Sequence, residues 1–335
     1  MTPGPVAASP DANPQGDIVV LIPVFNDWDA LRPLLADLDA TFARAGRAAR
    51  VLIVDDGSTM PHGDDFPALD FAALRRVEVL TLRRNLGHQR AIAVGLAYTE
   101  ANVPCRALLL MDGDGEDTPA EAARLLDEFE AQGGCKIIFA ERTRRSESRV
   151  FKVCYALFRA FHRVLTGYAV RVGNFSVIPR ARLESLAVVS EVWNHYPAAV
   201  FRSVQPYGTI PTARGRRLAG KSKMNFVRLV THGLSAISVY SDIIGVRLLL
   251  ATTGLIVLIV AGLVATVVVR LATPLAIPGW ATTAFGLLLV FLSQAVLFSV
   301  AFCFMILSGR QGATFLPRRD YHYFVGTVQM LSERS

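Results

Sequence analysis

Apolar residues recur along residues 17–140 in five short runs: 18–22 (IVVLI), 51–54 (VLIV), 77–82 (VEVLTL), 107–111 (ALLLM) and 136–140 (KIIFA). Helical-period stretches and polar, glycine-containing turns separate them. Near-continuous apolar runs alternating with helices predict strands buried on both faces, and so an α/β domain with a mostly parallel sheet. The helix after the fourth run has a defined start. Thr118 is placed to cap it, Pro119 suits the first helical position and Glu121 completes a capping box.

The pattern changes after residue 223. Between Arg247 and Arg270 lie 22 residues without a charge, a length that at about 1.5 Å per residue matches a hydrocarbon core of roughly 30 Å. A second uncharged stretch runs from Trp280 to Leu307, with Trp280 where an aromatic interface anchor belongs. Two transmembrane helices are therefore expected within 247–308. Residues 151–167 place Phe151, Tyr155, Phe158, His162 and Leu165 at helical spacing between Lys152, Arg159 and Arg163, which fits a helix lying in the headgroups and equally a core-facing helix with a solvated basic face. Residues 224–246 read as a juxtamembrane helix, and 309–335 as a tail. Residues 1–16, rich in Pro, Ala and Gly, have no basic start and no apolar stretch, so they read as a disordered leader rather than a secretory signal.

Composition supports this division. A mean hydropathy of +0.37 with 52% hydrophobic residues exceeds what a soluble domain carries. The net charge of +7 calls for an anionic partner, whether nucleic acid, phosphorylated substrate or acidic lipid. Arg310, Arg318 and Arg319 follow the second span, while the connector 271–279 has no basic residue, so both termini are expected on the cytoplasmic side. The four cysteines, at 105, 135, 154 and 303, show neither a disulfide framework nor zinc spacing.

In open α/β sheets ligands bind beyond the carboxyl ends of the strands, and the polar clusters lie there. Pro23-Val24-Phe25-Asn26-Asp27 follows the first strand, and Asp55-Asp56-Gly57-Ser58-Thr59 the second. The second cluster offers carboxylates to a base or ribose, or is an ordinary strand-to-helix turn. After the fourth strand comes Asp112-Gly113-Asp114-Gly115-Glu116-Asp117. Carboxylates spaced by glycine suit a hard cation, Mg²⁺ or Mn²⁺, with open positions for diphosphate oxygens. An EF-hand is excluded, because its sixth position here is Asp117 rather than Gly and its twelfth Ala123 rather than Glu. Asn85 and Gly87 open a helix in which Ala93, Gly95 and Ala97 are small enough for close packing on the sheet.

Taken in order, these segments resemble family 2 glycosyltransferases of the GT-A fold, in the polyprenyl-phosphate branch that includes dolichyl-phosphate mannose synthases and bacterial glucosyl and aminoarabinosyl lipid transferases. The P-x-Y-N-E pattern appears at residues 23–27, D-D-G-S at 55–58, N-x-G…A…G at Asn85, Gly87, Ala91 and Gly95, and D-x-D-x-Q as Asp112-Gly113-Asp114-Gly115-Glu116. R-x-x-G-x-S-K appears as Arg217-Leu218-Ala219-Gly220-Lys221-Ser222-Lys223. The resemblance implies a GT-A domain over 17–223 followed by the two spans. It implies nucleotide-sugar contacts from Pro23, Phe25, Asn26, Asp27, Asp55, Asp56, Asn85, Gly87, Asp112, Gly113 and Asp114, and metal ligation by Asp112, Asp114 and Glu116. Arg217 and Lys223 would close over the donor phosphates, making Asp112, Asp114, Arg217 and Lys223 the catalytic set. The implied reaction is an inverting in-line transfer from a UDP- or GDP-sugar to a polyprenyl phosphate at the cytoplasmic face of a bacterial cell membrane. Membrane lipids are partners, nucleic acid is not, and self-association stays open.

One segment departs from the pattern. Where D-x-G-D-F-R is usual, the chain has Arg171-Val172-Gly173-Asn174-Phe175-Ser176. A polyprenyl phosphate is already anionic and needs no general base, whereas a hydroxyl acceptor would need one. Arg171, Asn174 and Ser176, with nearby Glu191 and His195, are the acceptor-side candidates. A different lipid acceptor, or a non-catalytic nucleotide-sugar-binding scaffold, remains the alternative. A processive polysaccharide synthase is disfavoured, since two spans are few for a polymer channel and Q-x-x-R-W is absent.

Overall fold

Alternation of side chains along the first strand sets the layers of the globular part. Within β1 (Ile18–Val24), Ile18, Val20 and Ile22 join one buried cluster with α1 (Trp28–Arg44) and α3 (Pro119–Ala131). Val19 and Leu21 point the other way, into a second cluster under α2 (His88–Asn102), α4 (Arg180–Leu186) and α5 (Tyr196–Arg202). Because successive strand residues face opposite sides, an uninterrupted apolar run requires a helix layer on each face. The result is a helix–sheet–helix sandwich.

The structure, a computed structural model, describes residues 17–60, 70–142, 163–167, 172–219, 226–273, 279–311 and 315–333. The leader 1–16, most of the expected interfacial helix, Arg171 and Lys223 lie outside these residues. The chain divides into two compact units, the first comprising Met1–Ser148, Val170–Val239 and Thr314–Ser335, the second Arg149–Ala169 and Tyr240–Ala313.

In the first unit, β1, β2 (Ala49–Asp55), β3 (Leu74–Leu82), β4 (Ala107–Leu110), β5 (Ile137–Arg142), β6 (Val172–Pro179), β7 (Tyr207–Thr212) and β8 (Val325–Glu333) form one sheet in the order β7-β5-β6-β4-β1-β2-β3-β8. Only β6 and β8 run against the other six strands. The expected mostly parallel α/β sheet is what forms. β1 sits between β2 and β4, so the loops after these three strands share one end of the sheet.

Small residues on α2 let it lie against the sheet as expected. A Cβ on Gly95 would stand 2.6 Å from Leu21 Cδ1 and 2.8 Å from Val54 Cγ2, closer than carbon atoms approach. Thr118 caps α3 by accepting the Glu121 N–H at 3.3 Å, with Pro119 at the first helical turn.

The segment expected as a tail becomes part of the sheet. β8 pairs antiparallel with β3, from Arg76 opposite Glu333 to Leu82 opposite Val325. Just before it, α9 (Pro317–Asp320) places Arg318 against the buried Glu100 at 2.9 Å. The Arg318 backbone N–H also donates to the Ala187 carbonyl at 2.8 Å. Phe315 and Phe324 pack on Trp193 with ring centroids 3.8 and 5.1 Å away. Neither the pairing partner nor the aromatic seat is adjacent in sequence, so local pattern cannot announce them.

α6 (Phe226–Ser238) is the last element of the first unit before the chain enters the second. The second unit contains α7 (Ser241–Ala272) and α8 (Trp280–Gln311), both long and apolar enough to cross a membrane, with mean hydropathies of 2.7 and 2.4 over their most apolar windows. Only 11% and 6% of those windows are buried within the protein, unlike the core helices of a soluble fold. The helices pack antiparallel. Gly245 lies against Ile306, Thr252 receives the Ser299 hydroxyl at 2.8 Å, and Gly262 lies against Leu288. Arg247 donates to the carbonyls of Val164 and Leu165 at 3.0 and 2.8 Å, tying residues 163–167 to the start of α7.

Candidate functional site at the carboxyl ends of the parallel strands

The loop after β1 is held by Asn26, whose φ of 52° lies in the left-handed region that a non-glycine side chain enters at a cost. Its side chain offsets that cost: Oδ1 accepts the N–H groups of Thr59 at 2.9 Å and Met60 at 3.0 Å, while its own N–H donates to Ser58 Oγ. The loops after β1 and β2 are thereby stitched together.

Asp55 and Asp56 are committed to the same framework. Asp55 Oδ1 accepts the Ser58 N–H at 2.9 Å. Asp56, 3% exposed, accepts the N–H groups of Leu86 at 2.7 Å and Gly87 at 2.9 Å, and Asn85 Nδ2 donates to the Asp56 carbonyl at 3.0 Å. Burial raises the Asp56 pKa, with the two amide N–H groups opposing it. Gly57 has φ +67°, and a Cβ there would meet Asn85 N at 2.7 Å, so the D-D-G-S turn requires glycine for close approach of backbone to backbone.

The acidic loop after β4 passes directly over β1. A Cβ on Gly113 would lie 3.1 Å from Ile22 Cγ2 and 3.2 Å from Val24 Cγ2, which explains glycine between the two aspartates. Asp117, absent from the sequence-based candidates, is 3% exposed and accepts the Asp112 N–H at 3.0 Å. Burial pushes the Asp114 pKa up, and the negative charges of Asp112 and Glu116 add to the rise while Arg217 opposes it.

A basic segment, residues 213–218, lies along this acidic loop. The Gly215 N–H donates to the Glu116 carbonyl at 2.9 Å and the Leu218 N–H to the Asp114 carbonyl at 3.0 Å. Arg217 Nη1 donates to Asp114 Oδ2 and its Nη2 to Asp27 Oδ2, both at 3.0 Å. Arg214 pairs with Glu116. The extra charge that Glu brings in place of Gln at position 116 is thus met by an arginine that sequence reasoning did not select.

The structure brings Asn26, Asp27, Asp55, Asp56, Asn85, Gly87, Asp112, Gly113, Asp114, Glu116 and Arg217 to one end of the sheet. Among the described residues no group of three His, Cys, Asp or Glu side chains is arranged to hold a metal. Glu116 faces Arg214 and Asp114 faces Arg217. The donor chemistry still suits a divalent cation. One or two carboxylates plus substrate phosphates suffice for Mg²⁺ or Mn²⁺, and the acidic charge gathered around Asp114 is charge a cation would relieve.

The acceptor-side candidates divide. His195 is 4% exposed and its Nδ1 accepts the Ala198 N–H at 3.2 Å, capping α5. Glu191 pairs with Arg202 at 3.2 Å. Both serve the packing of this region. Asn174 instead contacts His88 and Gln89 of α2, while Ser176, fully buried, meets the Tyr196 hydroxyl. His88 and Gln89 were not selected from sequence, although their place in the first turn of α2, immediately after Gly87, was a usable signal.

Residues 19–179 match the family model described as glycosyl transferase family 2. Over that stretch the chain resembles glycosyl transferase family 2. Its sheet through β6 and the loops after β1, β2 and β4 fall inside the matched residues. Among curated relatives, the undecaprenyl-phosphate 4-deoxy-4-formamido-L-arabinose transferase of Klebsiella pneumoniae subsp. pneumoniae is 27% identical over 221 residues, covering 65% of this chain and 65% of that protein. The enzyme of the same description from Salmonella paratyphi A is 26% identical over 224 residues, 66% of each chain. The chain therefore spans just under two thirds of the length of these relatives. Among solved structures, glucosyl-3-phosphoglycerate synthase from Mycobacterium tuberculosis, in complex with Mn²⁺, UDP-glucose and phosphoglyceric acid, is similar at a TM-score of 0.48 and 13% identity, covering 69% of this chain and 80% of that one. Mannosyl-3-phosphoglycerate synthase from Rubrobacter xylanophilus is similar at a TM-score of 0.46 and 16% identity, covering 68% and 73%.

Proposed function

We propose that this protein is a membrane-bound inverting glycosyltransferase that moves a sugar from a UDP- or GDP-sugar to a polyprenyl-phosphate carrier at the cytoplasmic face of a bacterial cell membrane. The observation that carries the reading is Arg217 held between Asp27, after β1, and Asp114, after β4. A guanidinium and paired carboxylates meeting at the carboxyl ends of parallel strands are what a nucleoside diphosphate and its cation require. The family 2 match and the relatives' printed activity support the same reaction class.

Asp112 and Asp114 would hold Mg²⁺ or Mn²⁺, which when bound neutralises the diphosphate leaving group. Arg217, seated between Asp27 and Asp114, would offer its donors to the departing phosphates, and Lys223 would join it. Asn26 and Asp56 keep the nucleoside end of the pocket rigid through the contacts already described. The acceptor phosphate is an oxyanion and attacks the anomeric carbon without a base, consistent with a 174–176 segment that has no carboxylate.

Chain connectivity supports two crossings. β8 belongs to the same sheet as β3, yet the chain passes through α7 and α8 before reaching it. A strand cannot pair across a bilayer, so the apolar hairpin returns the chain to the side it left. Basic residues at the end of that hairpin favour the cytoplasmic side.

The test is transfer from labelled UDP- and GDP-sugars to polyprenyl phosphate by the purified full chain with Mg²⁺ or Mn²⁺, beside Asp114→Asn. A lipid-soluble product made by the wild type alone supports the reading and names the donor. Donor binding without product from any acceptor would replace it with the scaffold reading.

A further inference from the structure

The hydroxyls deep in α7 and α8 are satisfied within the chain. Thr252 donates to the carbonyls of Leu248 and Leu249 at 3.0 Å, and Thr253 to that of Leu249 at 2.8 Å. Thr266 donates to the Gly262 carbonyl and Ser293 to that of Val290, both at 2.8 Å. Ser299 reaches across the hairpin to Thr252. Gln294 differs. It stands at the midpoint of the 28-residue span Trp280–Leu307, is exposed on the outside of the hairpin, and its amide has no hydrogen-bond partner among the described residues. Either end of the span is about 20 Å away at about 1.5 Å per residue, so the side chain cannot extend to water. An amide with two N–H donors and a carbonyl acceptor left open to hydrocarbon is costly.

The packing of α8 fixes the direction of this side chain. Leu288, Ser299 and Ile306 meet α7, and Ala295 between them is buried. One residue earlier, Gln294 is turned about 100° from that seam. Leu287, Val290, Leu297 and Ala301 are exposed on its own side at three- and four-residue spacing.

We propose that this face of α8 docks a second copy of the chain, with Gln294 of each copy hydrogen-bonded to Gln294 of the other. The amide is self-complementary, since its N–H group donates to the carbonyl of an identical side chain, which donates in return. Copies inserted with the same topology carry Gln294 at the same depth, so a two-fold axis along the membrane normal brings the two together. A different partner would need its own polar group at that depth. A single polar residue at a seam of otherwise apolar helices fixes register and partner number, while Leu287, Val290, Leu297 and Ala301 pack around it. This inference rests on the reading of α8 as a membrane span.

The test is fluorescence energy transfer between full-length copies carrying donor and acceptor labels, reconstituted together in liposomes over a range of protein-to-lipid ratios. Wild type is compared with Gln294→Leu, Gln294→Asn and Ser293→Ala, and flotation with resistance to carbonate extraction reads insertion in the same samples. Wild type is expected to associate, and Gln294→Leu to need roughly tenfold more protein per lipid for the same signal, the effect of losing one or two interhelical hydrogen bonds. Leucine is apolar and a good helix former, so the span itself should insert as before. Gln294→Asn keeps an amide and should restore association. Ser293→Ala should match wild type, because that hydroxyl is satisfied by its own helix. Gln294→Leu associating as tightly as wild type would overturn the proposal. So would a wild type that inserts but stays monomeric, the result expected if another membrane protein supplies the partner. A wild type that does not insert would overturn the membrane reading, and this proposal with it.

Discussion

Arg217 joins Asp27 and Asp114 through two separate guanidinium nitrogens, each 3.0 Å from its carboxylate oxygen. The guanidinium brings positive charge to the acidic loop. Arg217→Ala should reduce transfer by about a hundredfold or more, the usual effect of losing a donor to the developing charge. It should also let Mn²⁺ bind the donor-free protein more tightly, because the competing guanidinium is gone. Mn²⁺ titration followed by electron paramagnetic resonance checks the second outcome. Weaker Mn²⁺ binding would show that Arg217 supports the site in both states.

Asp114 gives a pH dependence with a definite sign. Burial first, then Asp112 and Glu116, raise its pKa above the usual 3.8, so the folded protein holds this proton more firmly than the unfolded chain. The ionised group therefore costs nothing below pH about 3.8, where both states are protonated, and its cost grows with pH until the folded pKa is passed. Asp114→Asn should show a gain in melting temperature over wild type that is small near pH 4, increases upward and then levels off, while transfer is lost. A gain largest at acid pH would contradict the assignment.

Glu116 and Arg214 form the outer pair of the same loop contact. Arg214 is 44% exposed, so the pair contributes only about 0.2–1 kcal/mol to stability. Glu116→Gln should leave much of the transfer activity and make the 213–218 segment easier to cleave with trypsin. Arg214→Gln should do the same, and the double variant should resemble either single. If Glu116→Gln abolishes Mn²⁺ binding, Glu116 is a ligand and leaves Arg214 when the cation arrives.

Gly57→Ala tests the D-D-G-S turn. The added Cβ would sit 2.7 Å from a backbone nitrogen at φ +67°, a conflict that side-chain rotation cannot relieve. A loss of about 1–3 kcal/mol in stability is expected from the strain and the displaced backbone. Donor binding should weaken too, since Asn85 moves with it. Denaturant melts and nucleotide binding measured on the same preparation check both.

Arg318→Ala removes the partner of Glu100, which is 4% exposed. Arg318 itself is largely solvent-accessible, so the expected loss is about 1–2 kcal/mol rather than the full cost of a buried broken pair. Deleting residues 315–335 should cost far more, because it also strips β8 from β3. A truncated protein that melts like the wild type would mean that β8 contributes nothing to the sheet.

Some of this was decided by local sequence. The apolar runs at 18–22, 51–54, 77–82 and 107–111 could bury both faces only as central strands, and 22 uncharged residues in a row could be satisfied only in lipid or a large core. Ala93, Gly95 and Ala97 marked a helix that could pack closely on the sheet, and Thr118 with Pro119 marked a helix start, because a cap acts within a few residues.

The tertiary structure decided what depends on partners distant in the chain. Arg217 finds Asp27 across 190 positions, and Asn174 finds His88 across 86. β8 reaches β3 only after the chain has run through both long helices. Arg214 finds Glu116 across 98 positions. Sequence pattern fixes which faces must be buried and which groups carry charge. Which donor meets which acceptor depends on hydrogen-bond direction and strand order, and those exist only once the loops after β1, β2 and β4 stand at the same end of one sheet.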